Sequence, residues 1–118
     1  LIQLLTEHLN RFPTSYIAYL HRAALYAEVG RYEEAIADNQ KLIDHDEKRW
    51  GIALNYQAEA YCLSGQYEKA LATINRYFEV CRKEIVSQVY CTRADIYKQM
   101  GMQQEAEEDM KQYRKLNQ

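Results

Sequence analysis

The chain has 118 residues, a formal net charge of −2 and only one proline and four glycines. That length supports one core rather than two, and the composition favours helix over turn-rich β architecture. The interspersed charges build no basic field for phosphates or an anionic membrane surface, no apolar run approaches the roughly 20 residues of a membrane span, and three cysteines without C-x-x-C spacing argue against a disulfide framework or a zinc site.

The first segment, 2–11, is predicted as a helix that ends before Pro13. Segments 15–29 and 31–45 are predicted as an antiparallel helix pair joined at Gly30, where a left-handed residue ends one helix and turns the chain back. Glu33 and Glu34 then meet the positive end of the next helix dipole. The polar run Asp44–Arg49 reads as a solvated connection. The same joint recurs at Gly65, between helices at 49–64 and 66–82, and at Gly101, between helices at 85–100 and 102–116.

Aligning the three glycines aligns much else. Tyr19, Leu54 and Tyr90 form one column, and Ala23, Ala58 and Ala94 another; Tyr26, Tyr61 and Tyr97, then Ala35, Ala70 and Ala106, complete the set. Every column steps by 35 and then 36 residues. The alanines allow two helices to approach closely, and the tyrosines fill the space around them.

This pattern resembles the tetratricopeptide repeat family, a 34-residue helix-turn-helix unit. The third unit departs from it, with Gln103 where Tyr32 and Tyr67 supply an aromatic, and Arg22 and Arg93 stand where the family often has leucine. The resemblance implies an all-α fold, a right-handed α-α superhelix forming a single unit over 1–118. Residues 1–13 are expected as the second helix of a truncated repeat, followed by repeats over 16–49, 51–84 and 87–118 in a fragment of a longer chain. Leu1, Leu4 and Leu5 are expected on the exposed end face of the stack.

In the family, the first helix of each pair lines a concave groove that receives a peptide or helix of another protein. On those stripes this chain has Ile17, Leu20, His21, Ala24 and Glu28; Ile52, Asn55, Tyr56 and Glu59; and Gln88, Cys91, Thr92 and Asp95. Ala24 and Ile52 are expected to pack between repeats, while His21, Asn55 and Tyr56 are the expected partner contacts. A family subclass grips chaperone C-terminal carboxylates with lysine, asparagine and arginine. Leu20, Ala24, Tyr56, Gln88 and Thr92 occupy those places here, so that clamp is not expected. Glu28, Glu59 and Asp95 point instead to a ligand with basic as well as apolar character.

No nucleophile, phosphate loop or triad spacing suggests catalysis, no cofactor is implied, and His8, His21 and His45 lack the spacing of a metal helix. The expected function is therefore a non-enzymatic scaffold or adaptor binding a protein partner, neither nucleic acid nor membrane, in a cytoplasmic, reducing setting. The alternative is structural self-association through exposed terminal helices. A distant third is an RNA-binding helical repeat of the pentatricopeptide kind, disfavoured by the acidic charge balance.

Overall fold

The computed structural model describes residues 1–118 as seven helices and no strands: α1 (Ile2–Arg11), α2 (Tyr16–Glu28), α3 (Tyr32–His45), α4 (Gly51–Leu63), α5 (Tyr67–Val80), α6 (Ser87–Gln99) and α7 (Gln103–Leu116). Each helix packs on its neighbours in sequence. The radius of gyration, 14.7 Å, and extents of 47 × 29 × 24 Å describe an elongated stack, since a compact chain of this length has a radius of about 13.5 Å.

The three glycine joints are built alike. Gly30, Gly65 and Gly101 have φ of 81°, 82° and 77°, the only positive values in the chain. At each joint the residue after the glycine donates its N–H to the carbonyl of the tyrosine column: Arg31 to Tyr26, Gln66 to Tyr61 and Met102 to Tyr97, each at 2.8 Å. The glycine N–H closes the inner bond to Ala27, Cys62 or Lys98. This is the Schellman arrangement, which satisfies carbonyls that a helix end otherwise leaves bare.

The alanine columns form the tight contacts expected of them. Ala23, Ala58 and Ala94, with Ala35, Ala70 and Ala106, are at most 2% exposed. Around them lie Leu54, Ile74, Tyr77, Val89 and Ile96 in the largest apolar cluster, with two smaller clusters toward the N-terminus around Leu42 and Tyr26. Tyrosine hydroxyls fasten the connections between hairpins. Tyr19 donates to the Pro13 carbonyl at 3.1 Å, and Tyr77 donates to the Glu84 carbonyl at 3.2 Å.

Polar side chains cross the stack at one recurring level. Arg22 of α2 holds both carboxylate oxygens of Asp38 in α3 at 2.7 Å and donates to Thr6 of α1 at 3.1 Å. Seventy-one positions on by sequence number, Arg93 of α6 holds Asp109 of α7 at 2.8 and 2.9 Å and donates to Asn75 of α5 at 3.0 Å. Between them, Gln57 of α4 donates to Gln40 and to the Ile36 carbonyl of α3, and Thr73 replaces the aspartate. The two arginines that depart from the usual leucine are thus cross-links between three helices.

The ends of the stack differ. Leu1 and Leu4 are 81% and 65% exposed, whereas Leu5 turns inward and packs beside Leu9, contrary to its expected place on the end face. On α7 the outer surface carries Glu107 paired with Arg114 and Glu108 paired with Lys111. One end is apolar and the other charged.

Candidate functional site

The first helices α2, α4 and α6 contact one another directly, α2 with α4 and α4 with α6, whereas the second helices α3, α5 and α7 do not. The stack therefore curves with the first helices on its inner side. The N-terminal turns of α2 and α4 present Ile17, 52% exposed, and Ile52, 37% exposed, on that side, and Tyr56 follows one turn along α4 at 41%. His21, Ala24 and Glu28 on α2, and Gln88 and Asp95 on α6, are also exposed; Leu20 and Cys91 are half-buried.

Two expectations about this face are reversed. Ala24 and Ile52 do not pack away between repeats but are exposed, Ile52 at 37%. Asn55, expected to reach a partner, is 1% exposed, and Thr92 is 3% exposed. Both are built into the seam between α4 and α6: the four-residue step from Ile52 keeps Tyr56 outward, and its neighbour Asn55, about 100° away around the helix, turns against the adjacent helix. Asn55 Nδ2 donates to Glu59 Oε1 at 3.3 Å, and the single hydroxyl proton of Thr92 is shared between Glu59 Oε1 at 3.3 Å and the Gln88 carbonyl at 3.2 Å. Burial holds the Glu59 carboxyl above its ordinary pKa against the pull of its Thr92 and Asn55 hydrogen bonds, and the charge of Asp95 adds a smaller push upward.

Cys62 and Cys91 border this seam, and burial pushes both thiols up, as it does Cys81. All three cysteines are free, and raised thiols are poor nucleophiles. No group of three His, Cys, Asp or Glu side chains is placed to hold a metal ion, and no helix is long and apolar enough to cross a membrane. His45 lies flat on Tyr16 with ring centroids 3.8 Å apart, and His8 meets Ser15 at 3.1 Å. The Asp44–Arg49 run is tied down, Glu47 chelating Arg76 at 2.7 and 2.8 Å.

Two cavities lie away from the inner stripe or at its edge. One of about 570 Å³ sits between α6 and α7 and is lined almost wholly by polar side chains, among them Arg93, Glu105 and Lys111. The other, about 620 Å³, opens where the α3–α4 and α5–α6 connections meet and joins Ile52 to Lys48, Arg49, Arg82 and Lys83. Sequence reasoning did not single out this edge, where the four cations sit with Glu79 and Glu84, because the cations come from two connections more than 30 positions apart.

The repeated hairpin, its glycine joint and its inner stripe define a class of protein, the helical-repeat solenoids. The tetratricopeptide repeat model matches residues 16–48 and 87–118, more than half of the chain, and the chain belongs to that family. No curated protein matches it in sequence. Among solved structures, a crystal structure of MamA superposes with a TM-score of 0.84 at 17% identity, covering 98% of this chain and 66% of that one. MamA of AMB-1 superposes with 0.78 at 20%, covering 98% and 62%. The first tetratricopeptide repeat domain of human RPAP3 superposes with 0.79 at 21%, covering 88% of this chain and 80% of that domain. The chain thus spans less than two thirds of the MamA chains, and at these identities the likeness concerns the fold, a right-handed α-α superhelix.

Proposed function

We propose that this chain is a protein-interaction module, without catalytic activity, whose inner face receives an extended segment or a helix of a partner protein. The supporting observation is the exposure of Ile17, Ile52 and Tyr56 on adjacent first helices, beside Ala18, Ala53, Leu54 and Ala58, which are all at most 4% exposed. Large apolar and aromatic groups held outward by a buried helix back are what a docking surface requires. Family membership supports the same reading. The partner is a protein rather than a nucleic acid, because the inner face offers Glu28, Glu59 and Asp95 where phosphates need cations. It is also not a carboxylate of the clamp type. We place the work of the module in a reducing compartment such as the cytoplasm, where its three free thiols stay reduced.

The test is a capture experiment with the intact chain, followed by titration of the captured partner. Tyr56→Ala is expected to weaken binding by about 2 kcal/mol and His21→Ala by less, while Lys69→Ala and Glu108→Ala on the outer helices leave it unchanged. Melting curves run in parallel separate lost contact from lost fold. Loss of binding from the outer variants alone would refute the inner face as the site. A second reading, self-association, draws on the exposed Leu1 and Leu4. The charged outer surface of α7 disfavours head-to-tail stacking, so any such contact joins two α1 ends, and light scattering against concentration detects it.

A further inference from the structure

Of the 15 lysines and arginines in the chain, Arg22, Arg31, Arg76, Arg93, Lys111 and Arg114 are held in ion pairs. Four of those left over, Lys48, Arg49, Arg82 and Lys83, line a single cavity, the space of about 620 Å³ where the α3–α4 and α5–α6 connections meet. All four are exposed. The carboxylates nearby do not balance them, because Glu47 and Glu79 are both held by Arg76 at 2.7 to 2.9 Å, which leaves Glu84 as the one lining anion outside any ion pair. In a chain of net charge −2 this is a local surplus of positive charge. Cations gathered around a concave surface raise the potential inside it and draw in a counter-charge.

The walls of the cavity are fixed by tertiary bonds. Arg76 of α5 chelates Glu47 and so ties down the α3–α4 connection, while the Tyr77 hydroxyl donates to the Glu84 carbonyl at 3.2 Å and accepts the Val86 N–H at 3.4 Å, which ties down the α5–α6 connection. Between them Gly51 faces the Cys81 sulfur so closely that a side chain would not fit. The cavity is thus preformed, and a ligand need order only the four cationic side chains. Ile52 and Val86, 37% and 49% exposed, share the lining, and Ile52 also belongs to the inner face. A segment lying on that face therefore reaches the cavity without leaving the surface. A platform for stacking nucleic-acid bases is missing, since the one aromatic residue of the lining, Tyr77, is 4% exposed. We propose that this cavity receives the acidic side chains of a protein segment: aspartate or glutamate carboxylates pair with Lys48, Arg49, Arg82 and Lys83 while a neighbouring apolar side chain of the same segment covers Ile52. This rests on the inner face being the docking surface, and it adds to the ligand an acidic stretch at the edge where α4 begins.

The experiment uses two acetylated, amidated decapeptides of alternating leucine with glutamate or with glutamine, each titrated into the isotopically labelled full chain and followed by amide chemical shifts. The glutamate peptide is expected to shift the two connections and the start of α4, and to bind about tenfold more tightly than the glutamine peptide at low salt, an advantage that raised salt erodes. Because the chain as a whole is negative, such a preference must be local. Lys48→Gln with Arg49→Gln, and Arg82→Gln with Lys83→Gln, should each shrink it, and the four together should abolish it. These side chains are exposed, so the variants keep their fold, which melting curves verify. Lys69→Gln with Lys115→Gln removes the same charge from exposed positions on the outer helices and should leave the preference intact. Equal binding of both peptides on the inner helices would overturn the acidic pocket and leave the docking surface standing. An equal loss in the outer double variant, or no shift of the two connections with the glutamate peptide, would also overturn the pocket, the inner face being judged separately by Tyr56→Ala in the capture experiment. A uridine decanucleotide that binds the cavity more tightly than the glutamate peptide would overturn the protein segment as its occupant.

Discussion

The outer hairpins, α2–α3 and α6–α7, and the central hairpin, α4–α5, solve the same packing problem with different chemistry. At the level where a first helix crosses its own second helix, the outer pairs bury an arginine chelated by an aspartate, with side-chain exposures of 16% and 6% for Arg22 and Asp38 and 21% and 5% for Arg93 and Asp109. Aromatic rings flank the guanidinium groups, Arg93 lying 4.0 Å from the centroid of Phe78. In the central pair Gln57 and Thr73 stand at those places without bonding each other: Gln57 donates back to Gln40 and the Ile36 carbonyl of α3, Thr73 donates to the Lys69 carbonyl of its own helix, and α4 and α5 meet in the largest apolar cluster. The two units matched by the family model are the ones with the ion pair. The hairpin thus closes with or without a polar cross-link at this level; where a charged one is buried, its donors and acceptors are matched.

The sharpest way to break that comparison is to remove half of a pair. Asp38→Ala or Asp109→Ala leaves a mostly buried guanidinium without its carboxylate and is expected to cost about 3 kcal/mol or more. Transplanting the central solution, Arg22→Gln with Asp38→Thr, is expected to restore stability to within about 1 kcal/mol of the parent. Urea denaturation midpoints check both. A single substitution as harmless as the double one would mean that the pair is an ornament of a surface rather than a cross-link.

The tight alanine contact, by contrast, is common to all three hairpins, so overpacking is expected to hurt them alike. Ala70→Leu and Ala35→Leu should each destabilise by about 1 to 3 kcal/mol, while Ala72→Leu, exposed two positions on, should change little. A large difference between Ala70→Leu and Ala35→Leu would show that the hairpins are not packed equivalently. The central hairpin has one close approach of its own. A Cβ on Gly51 would lie 2.6 Å from the Cys81 sulfur and 3.4 Å from the Tyr77 ring. Gly51→Ala is expected to lower stability by about 1 to 2 kcal/mol, with most of the loss recovered in Gly51→Ala combined with Cys81→Ala. A Gly51→Ala variant with an unchanged melting temperature would remove the helix start of α4 from the list of constrained positions.

The fold was legible because the features that build it are local and repeated. A glycine that ends a helix and small residues at fixed offsets announce themselves three times, and the helix ends predicted from them lie within a few residues of those observed. The departures have local causes as well. Helices predicted to start at 49 and 85 begin at Gly51 and Ser87, since Trp50 and Val86 serve as the caps, Val86 in extended backbone. The site was legible as a stripe but not as a surface. Period alone assigned Ile52, Asn55 and Tyr56 to one face, yet adjacent residues on a helix point about 100° apart, and which of them met the neighbouring hairpin depended on how the hairpins stack. The ion pairs stayed hidden for a similar reason: Arg22 and Asp38 are 16 residues apart, a spacing that means nothing until the hairpin closes.

The smallest effect concerns Glu59, which has no counterpart in the first hairpin, where Ala24 takes its place. Its folded-state pKa is raised, chiefly by burial, so between the unfolded and folded values the native chain binds more protons than the unfolded chain. Stability must then fall as pH rises through the folded value, and the penalty persists at neutral pH. It disappears on acidification toward the ordinary carboxylate range. Glu47 works in the opposite direction, its pKa being lowered by the hydrogen bonds from Arg76, so its contribution is present at neutral pH and lost only on deeper acidification. Unfolding free energy measured from pH 7 downward is therefore expected to rise slightly before it falls. Glu59→Gln should remove the rise and leave the fall, with neutral-pH stability equal to or above that of the parent. A parent chain whose stability declines from pH 7 without a maximum, or a Glu59→Gln variant less stable than the parent at pH 7, would mean that Asn55 and Thr92 stabilise the charged carboxylate more than burial opposes it. Glu59 would then be satisfied within its own seam.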